Sequence, residues 1–68
     1  QIGSTLGLEG EVSVIVPAAG SGRGRVRLVV GDRQRTFNAV SPAAEIRPQT
    51  RVKVVRVNDD RTLTVAPA

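Results

Sequence analysis

Apolar and polar residues alternate along most of the chain with the two-residue period of a half-buried β-strand. This pattern predicts five strands, at residues 11–16, 25–30, 34–40, 51–57 and 62–65. Gly31-Asp32 and Asn58-Asp59-Asp60 have the composition of turns, and Pro42 ends the third strand because proline cannot continue a ladder. The fourth strand follows a longer connection, residues 42–49, which reads as a loop with at most one helical turn.

The alternation also predicts which side chains form the core. The side chains expected to point inward are Val12, Val14, Val16, Val26, Leu28, Val30, Phe37, Ala39, Leu63 and Val65. Ile46 is expected to plug one end of the core from the loop before the fourth strand. In the fourth strand the phase slips by one residue at Val54-Val55, which indicates a β-bulge.

Five short strands at regular spacing indicate a single all-β domain spanning residues 1–68. A small five-stranded barrel of the OB type fits best, because closing the sheet removes exposed edges. An SH3-like barrel is the alternative, since it also has five strands.

The chain contains no cysteine and no histidine, which excludes disulfides, thiolate nucleophiles, histidine acid–base chemistry and zinc sites of the Cys/His type. A Ser41 or Thr36 nucleophile would need a positioned base, and the single lysine, Lys53, is predicted on the outer face of the sheet. Asp59 and Asp60 serve turn geometry. We therefore expect a protein that is not an enzyme, with no catalytic residue, cofactor or metal.

Three glycines, Gly20, Gly22 and Gly24, precede the second strand. A phosphate cradle needs a helix N-terminus after such a loop, and here a strand follows, with no Gly-Lys-Ser/Thr sequence. Residues 17–22 are therefore interpreted as the flexible connection between the first two strands, Gly24 as the start of the second strand, and the glycines as backbone hinges.

Ten basic residues against six acidic ones give a net charge of +4, and nine of the ten are arginine. Such a charge favours an acidic partner: nucleic acid, an anionic membrane leaflet or an acidic protein face. The residues predicted to form a candidate interaction surface are Arg23, Arg25, Arg27, Arg51 and Lys53. The alternative is a set of solvated arginines, partly balanced by Glu9, Glu11 and Asp32 on neighbouring strands.

Nucleic-acid binding would add Arg35 to this outer surface. Binding of single strands normally combines a basic groove with aromatic platforms on which bases stack. The single aromatic residue, Phe37, is predicted to face the core. The composition therefore argues against nucleic acid as the partner, although an OB-fold domain that binds nucleic acid stays the alternative function.

Four segments together, residues 5–12, 24–28, 37–41 and 46–57, resemble the C-terminal soluble domain of NfeD-like proteins, particularly the YuaF-type branch. The family pattern places G-x-x-G-x-V in the first strand, a Gly-containing loop after it, and I-x-x-G-T-x-V-x-V-V-x-V around the fourth strand. Gln49 departs from this pattern, because it stands where the family usually has glycine. The difference concerns the turn that opens the fourth strand.

The resemblance implies an OB-fold barrel attached to transmembrane helices, and a chain that begins with Gln1 is expected to be a C-terminal fragment of that longer protein. Such proteins are typically encoded beside SPFH-domain membrane proteins of the flotillin and stomatin kind and act with them in membrane organisation. We therefore expect a non-enzymatic interaction domain on the cytoplasmic side of the cell membrane. Its expected partner is a flotillin- or stomatin-like protein, with self-association and an anionic membrane surface as further possibilities.

Overall fold

The structure, a computed structural model, describes residues 5–19, 21–58 and 62–68. It contains the strands β1 (Glu9–Val14), β2 (Gly24–Val30), β3 (Arg33–Val40), β4 (Arg51–Val57) and β5 (Leu63–Pro67). All five predicted strands are present, although β1 begins and ends two residues earlier than predicted and β5 continues to Pro67. None of the described residues forms a helix long and apolar enough to cross a membrane.

The strands close into a barrel in the order β1-β2-β3-β5-β4, with β4 pairing back onto β1. All neighbours are antiparallel except β3 and β5, which run parallel and meet only at Ala39 with Leu63 and Val40 with Thr64. This arrangement confirms the predicted all-β fold and the five-stranded, OB-like barrel.

A long hairpin joins β2 and β3 through seven residue pairs, from Gly24 opposite Ala39 to Val30 opposite Arg33. Two residues, Gly31 and Asp32, make the turn, as the sequence predicts. Gly31 has a φ of 66°, and a glycine with positive φ at the first central position is typical of a hairpin turn of type II′.

The core consists of ten buried aliphatic side chains drawn from every strand and from the β1–β2 and β3–β4 connections. They are Val12, Val16, Val26, Leu28, Ala39, Ile46, Val52, Val54, Leu63 and Val65, with Val30, Phe37 and Val57 partly buried against them. Ile46 exchanges two backbone hydrogen bonds with Val16, of 2.8 and 2.9 Å. The predicted plug at the end of the core is thereby confirmed.

Two strands contain bulges, one expected and one not. The pairing of β4 with β5 shifts between Val54 and Arg56, as the break in alternation predicts. The pairing of β1 with β2 also shifts, between Val12 and Val14. The prediction that Val14 points inward is therefore wrong: the bulge turns this side chain outward, where it is 48% exposed.

Candidate interaction surface

Four of the five predicted cations, all but Arg23, lie on the outer face of the sheet formed by β2, β1 and β4. Glu11 pairs with Arg27 on one neighbouring strand and with Arg51 on the other, and Glu9 pairs with Lys53. Directly paired residues point to the same side of a sheet. The structure therefore brings Arg27, Arg51 and Lys53 together, but around an acidic central strand.

Both carboxylates of β1 form ion pairs with these arginines. Arg27 donates from Nη2 to Glu11 Oε1 at 2.8 Å, and Arg51 donates from Nη2 to Glu9 Oε1 at 3.5 Å. The predicted balancing by Glu9 and Glu11 is confirmed, whereas Asp32 lies in the β2–β3 turn. Five cations and two carboxylates leave this surface with an excess of three positive charges.

A surface depression of about 290 Å³ lies beside the two ion pairs. It is lined by Glu9, Gly10, Glu11, Arg27, Leu28, Val29, Gln34 and Arg51. The charged side chains that line it already form ion pairs with one another, so a charged ligand would have to separate an ion pair in order to bind. The depression is therefore interpreted as part of an extended surface and not as a small-molecule site.

Arg25 and Arg23 lie at the end of β2 nearest the β1–β2 loop, and both are exposed. Arg25 stands opposite Val14 on β1 and Asn38 on β3. The loop itself is tied to the β3–β4 connection by a 2.9 Å hydrogen bond from Ala19 N to Ala43 O. All five candidate residues are thus exposed on neighbouring strands or just before one.

The glycines of the loop have structural roles in the described part of the chain; Gly20 lies outside it. A Cβ on Gly24 would collide with the carbonyl oxygens of Val14 and Ile15. Gly22 has a φ of 143°, a conformation that favours glycine. Gly24 therefore serves the close approach of β2 to the bulged end of β1.

The prediction that Arg35 shares this outer surface is wrong. Arg35 pairs with Leu28, which is buried, so its side chain leaves the sheet on the inner side. Arg33 pairs with Val30 and lies on the same side as Arg35. The alternation around Phe37 predicts which residues of β3 face inward. It does not show that the inner side of the sheet is exposed to solvent near the hairpin turn.

OB domains that bind oligonucleotides use the outer face of strands two and three. Here that face carries Arg25, Arg27, Val29, Gln34, Thr36 and Asn38, without an aromatic side chain. Phe37 pairs with the buried Val26 and packs against the core. The alternative of nucleic-acid binding gains no stacking platform from this surface.

Within the described residues, no cluster of three or more His, Cys, Asp or Glu side chains could hold a metal ion. The expectation that the chain is not an enzyme stays a prediction.

Fold and surface together define an OB-like barrel domain with a basic outer face crossed by an acidic strand. The family model of the NfeD C-terminal domain matches residues 9–66. The chain therefore belongs to the NfeD C-terminal domain family, and the resemblance found in its sequence is confirmed.

Solved structures agree with this assignment. The soluble domain of the NfeD protein YuaF from Bacillus subtilis is 32% identical, with a TM-score of 0.74 over 90% of this chain and 70% of that one. The soluble domain of a Corynebacterium glutamicum membrane protein implicated in regulation of membrane protease activity is 22% identical, with a TM-score of 0.79 over 98% and 97% of the two chains. The C-terminal domain of stomatin operon partner protein 1510-C from Pyrococcus horikoshii is 21% identical, with a TM-score of 0.74 over 97% and 91%. No curated protein matches the chain.

Proposed function

We propose that this barrel is the non-enzymatic interaction domain of a membrane-anchored NfeD-like protein, held on the cytoplasmic side of the cell membrane. Its partner is an SPFH-domain protein of the stomatin or flotillin kind, with which it acts in membrane organisation. The observation that carries the proposal is family membership over residues 9–66. Two relatives support it: a soluble domain of an NfeD protein, and a domain of a protein named as a stomatin operon partner.

The surface proposed to meet the partner is the basic outer face of β2, β1 and β4. Arg27 and Arg51 are each held by a glutamate, so part of their charge is neutralised before any partner binds. The excess positive charge attracts an acidic protein face over a distance of about a Debye length, which is roughly 8 Å at physiological salt. Arg25, beside the exposed Val14, combines a cation with apolar area that a protein partner can cover.

The test is co-purification of the membrane-anchored protein with the stomatin-like protein encoded beside it. The variant R25E/R27E should reduce retention at least about fivefold, because it replaces attraction with repulsion along β2. The matched control compares single reversals: R47E, at an exposed arginine of the β3–β4 connection, changes the net charge as much as R25E does on the proposed face. Failure of the wild-type protein to retain the partner would refute the proposed function.

If R25E and R47E lower retention equally, the partner senses only net charge, and the proposed surface is wrong. Raising the salt concentration adds an independent check, since an electrostatic contact at an exposed surface weakens as the Debye length shortens.

A further inference from the structure

The outer edge of β3 is unpaired along most of its length. β5 pairs with β3 only at Ala39 and Val40. Within the described parts of the chain, no strand pairs with this edge between Arg33 and Asn38. Alternate residues of a strand direct their N–H and C=O groups to the same edge, so this segment offers a row of backbone donors and acceptors to another strand.

The side chains along this edge are accessible on both sides of the sheet. Every residue from Arg33 to Asn38 is exposed except Phe37, which is half-buried. Arg35 is exposed although it lies opposite Leu28, which is only 1% exposed. The inner side of the sheet is therefore open beside β3, at a place where a further strand could lie.

Charge decides which kind of strand fits there. Arg33 and Arg35 leave the same side of β3 two residues apart, next to the partly buried apolar ring of Phe37. A second copy of β3 added to this edge would bring two more arginines beside Arg33 and Arg35, and like charges on adjacent strands repel. An acidic strand would instead present carboxylates, which guanidinium groups bind with two parallel hydrogen bonds.

We propose that the edge of β3 over residues 33–38 is a docking site for an extended acidic segment of a partner protein, which binds by adding a strand to the sheet. This inference rests on the proposed function in one respect, since it supplies a second contact for the same SPFH-type partner. Backbone hydrogen bonds along the β3 edge supply the affinity. Arg33 and Arg35 select acidic side chains at alternate positions of the incoming strand.

The first test follows the backbone amides of the isotope-labelled domain by NMR and hydrogen exchange. The probe is a synthetic peptide of about eight residues that alternates glutamate with threonine, long enough to span the edge. It should shift and protect amides of residues 33–38. The matched control, alternating lysine with threonine, should leave them unchanged. Protection of the edge amides in the free domain would overturn the inference, because the edge would then already be covered.

The second test reverses the charge of the edge. The variant R33E/R35E should bind the glutamate peptide about tenfold more weakly and should now bind the lysine peptide. R25E/R27E carries the same change in net charge on the outer face and should bind the glutamate peptide within about twofold of the wild type. Equal weakening by the two variants, or edge-to-edge dimers of the wild type, would contradict selection of an acidic strand at this edge.

The peptide tests separate this inference from the proposed function. Binding of the glutamate peptide at the β3 edge supports the edge site even where the stomatin-like protein is not retained, and only the proposed function then fails. Retention of that protein by R33E/R35E at wild-type levels leaves the proposed function standing and overturns the second contact.

Discussion

β1 and β4 are neighbours in the barrel and are built alike, yet the sequence shows the irregularities of only one of them. The two strands pair directly, with Gly10 opposite Val52, and each contains a bulge. Each is also entered through a residue of positive φ: Gly7 at 84° before β1 and Gln49 at 70° before β4. The irregularity of β4 is visible in its own sequence, whereas that of β1 depends on a neighbouring strand.

In β4 the bulge is local, because two adjacent valines break the alternation and one must face outward. Val54 is buried, whereas Val55 is 49% exposed. Within β1, Val12, Ser13 and Val14 alternate without a break, and the apolar run of Val14, Ile15 and Val16 begins only at the last residue of the strand. On β2, Gly24 allows the carbonyl groups of Val14 and Ile15 to approach its backbone, and we expect this contact to fix the bulge.

Gly24→Ala should have the largest effect of any change suggested by this comparison. The new methyl group would collide with two backbone oxygens, and backbone cannot yield as a flexible side chain can. We expect a loss of about 3 kcal/mol in the free energy of unfolding, at the upper end of overpacking effects. Urea unfolding measures the loss, and the exposed Ser21→Ala, in the same loop, is the control. A loss below about 1 kcal/mol would show that Gly24 does not fix the bulge.

Alanine substitutions at positions 12 and 14 test the bulge of β1 from the other side. Val12→Ala removes a fully buried side chain and should cost about 2 kcal/mol, whereas the outward-facing Val14 should cost less than about 0.5 kcal/mol. Uninterrupted alternation predicts similar costs at both positions. Thermal and urea denaturation of the two variants decide between these outcomes, and similar losses would contradict the bulge.

Strand positions, turns and most of the core follow from alternation, because burial of one face imposes a period of two on each strand. The plug Ile46 follows too, since a lone large aliphatic residue between prolines has few other places to be buried. Two features do not follow. The orientation of Val14 depends on the bulge beside Gly24 of the neighbouring strand, and the exposure of Arg35 depends on where β5 stops pairing with β3.

A substitution at Gln49, just before β4, should have a smaller effect on the free energy of unfolding, and a stabilising one. Gln49 adopts the left-handed conformation that favours glycine, while its N–H donates to Val12 O at 2.7 Å. A side chain in this conformation costs about 1–2 kcal/mol, and the greater freedom of glycine in the unfolded chain offsets part of the relief. Gln49→Gly should therefore raise the free energy of unfolding by about 0.5–1 kcal/mol.

The matched control at this position is Gln49→Val, because a β-branched residue tolerates positive φ least. It should lower the free energy of unfolding, so the two variants should move in opposite directions from the wild type. Destabilisation by glycine would mean that the side chain of Gln49 contributes more than its conformation costs.

The sequence predicts which basic residues lie on the candidate surface, but it does not predict how the charges of that surface are arranged. The outward phase of β2 and β4 places Arg25, Arg27, Arg51 and Lys53 on the outside. What the pattern leaves open is the order of strands, which puts acidic β1 between the two basic ones. That order turns a uniformly basic patch into alternating rows of opposite charge.

The smallest expected effect is the difference in strength between the two ion pairs that join β1 to β2 and β4. The Arg27–Glu11 pair is shorter, at 2.8 Å, and its side chains are about two-fifths exposed; the Arg51–Glu9 pair, at 3.5 Å, is more than half exposed. Solvent screening weakens both, so Glu11→Gln should cost about 0.5 kcal/mol and Glu9→Gln about 0.2 kcal/mol or less. Double-mutant cycles with Arg27→Gln and Arg51→Gln, at low salt and at about 1 M salt, measure each coupling. Equal couplings, or couplings that persist at high salt, would mean that β1 holds its two basic neighbours by packing and backbone pairing alone.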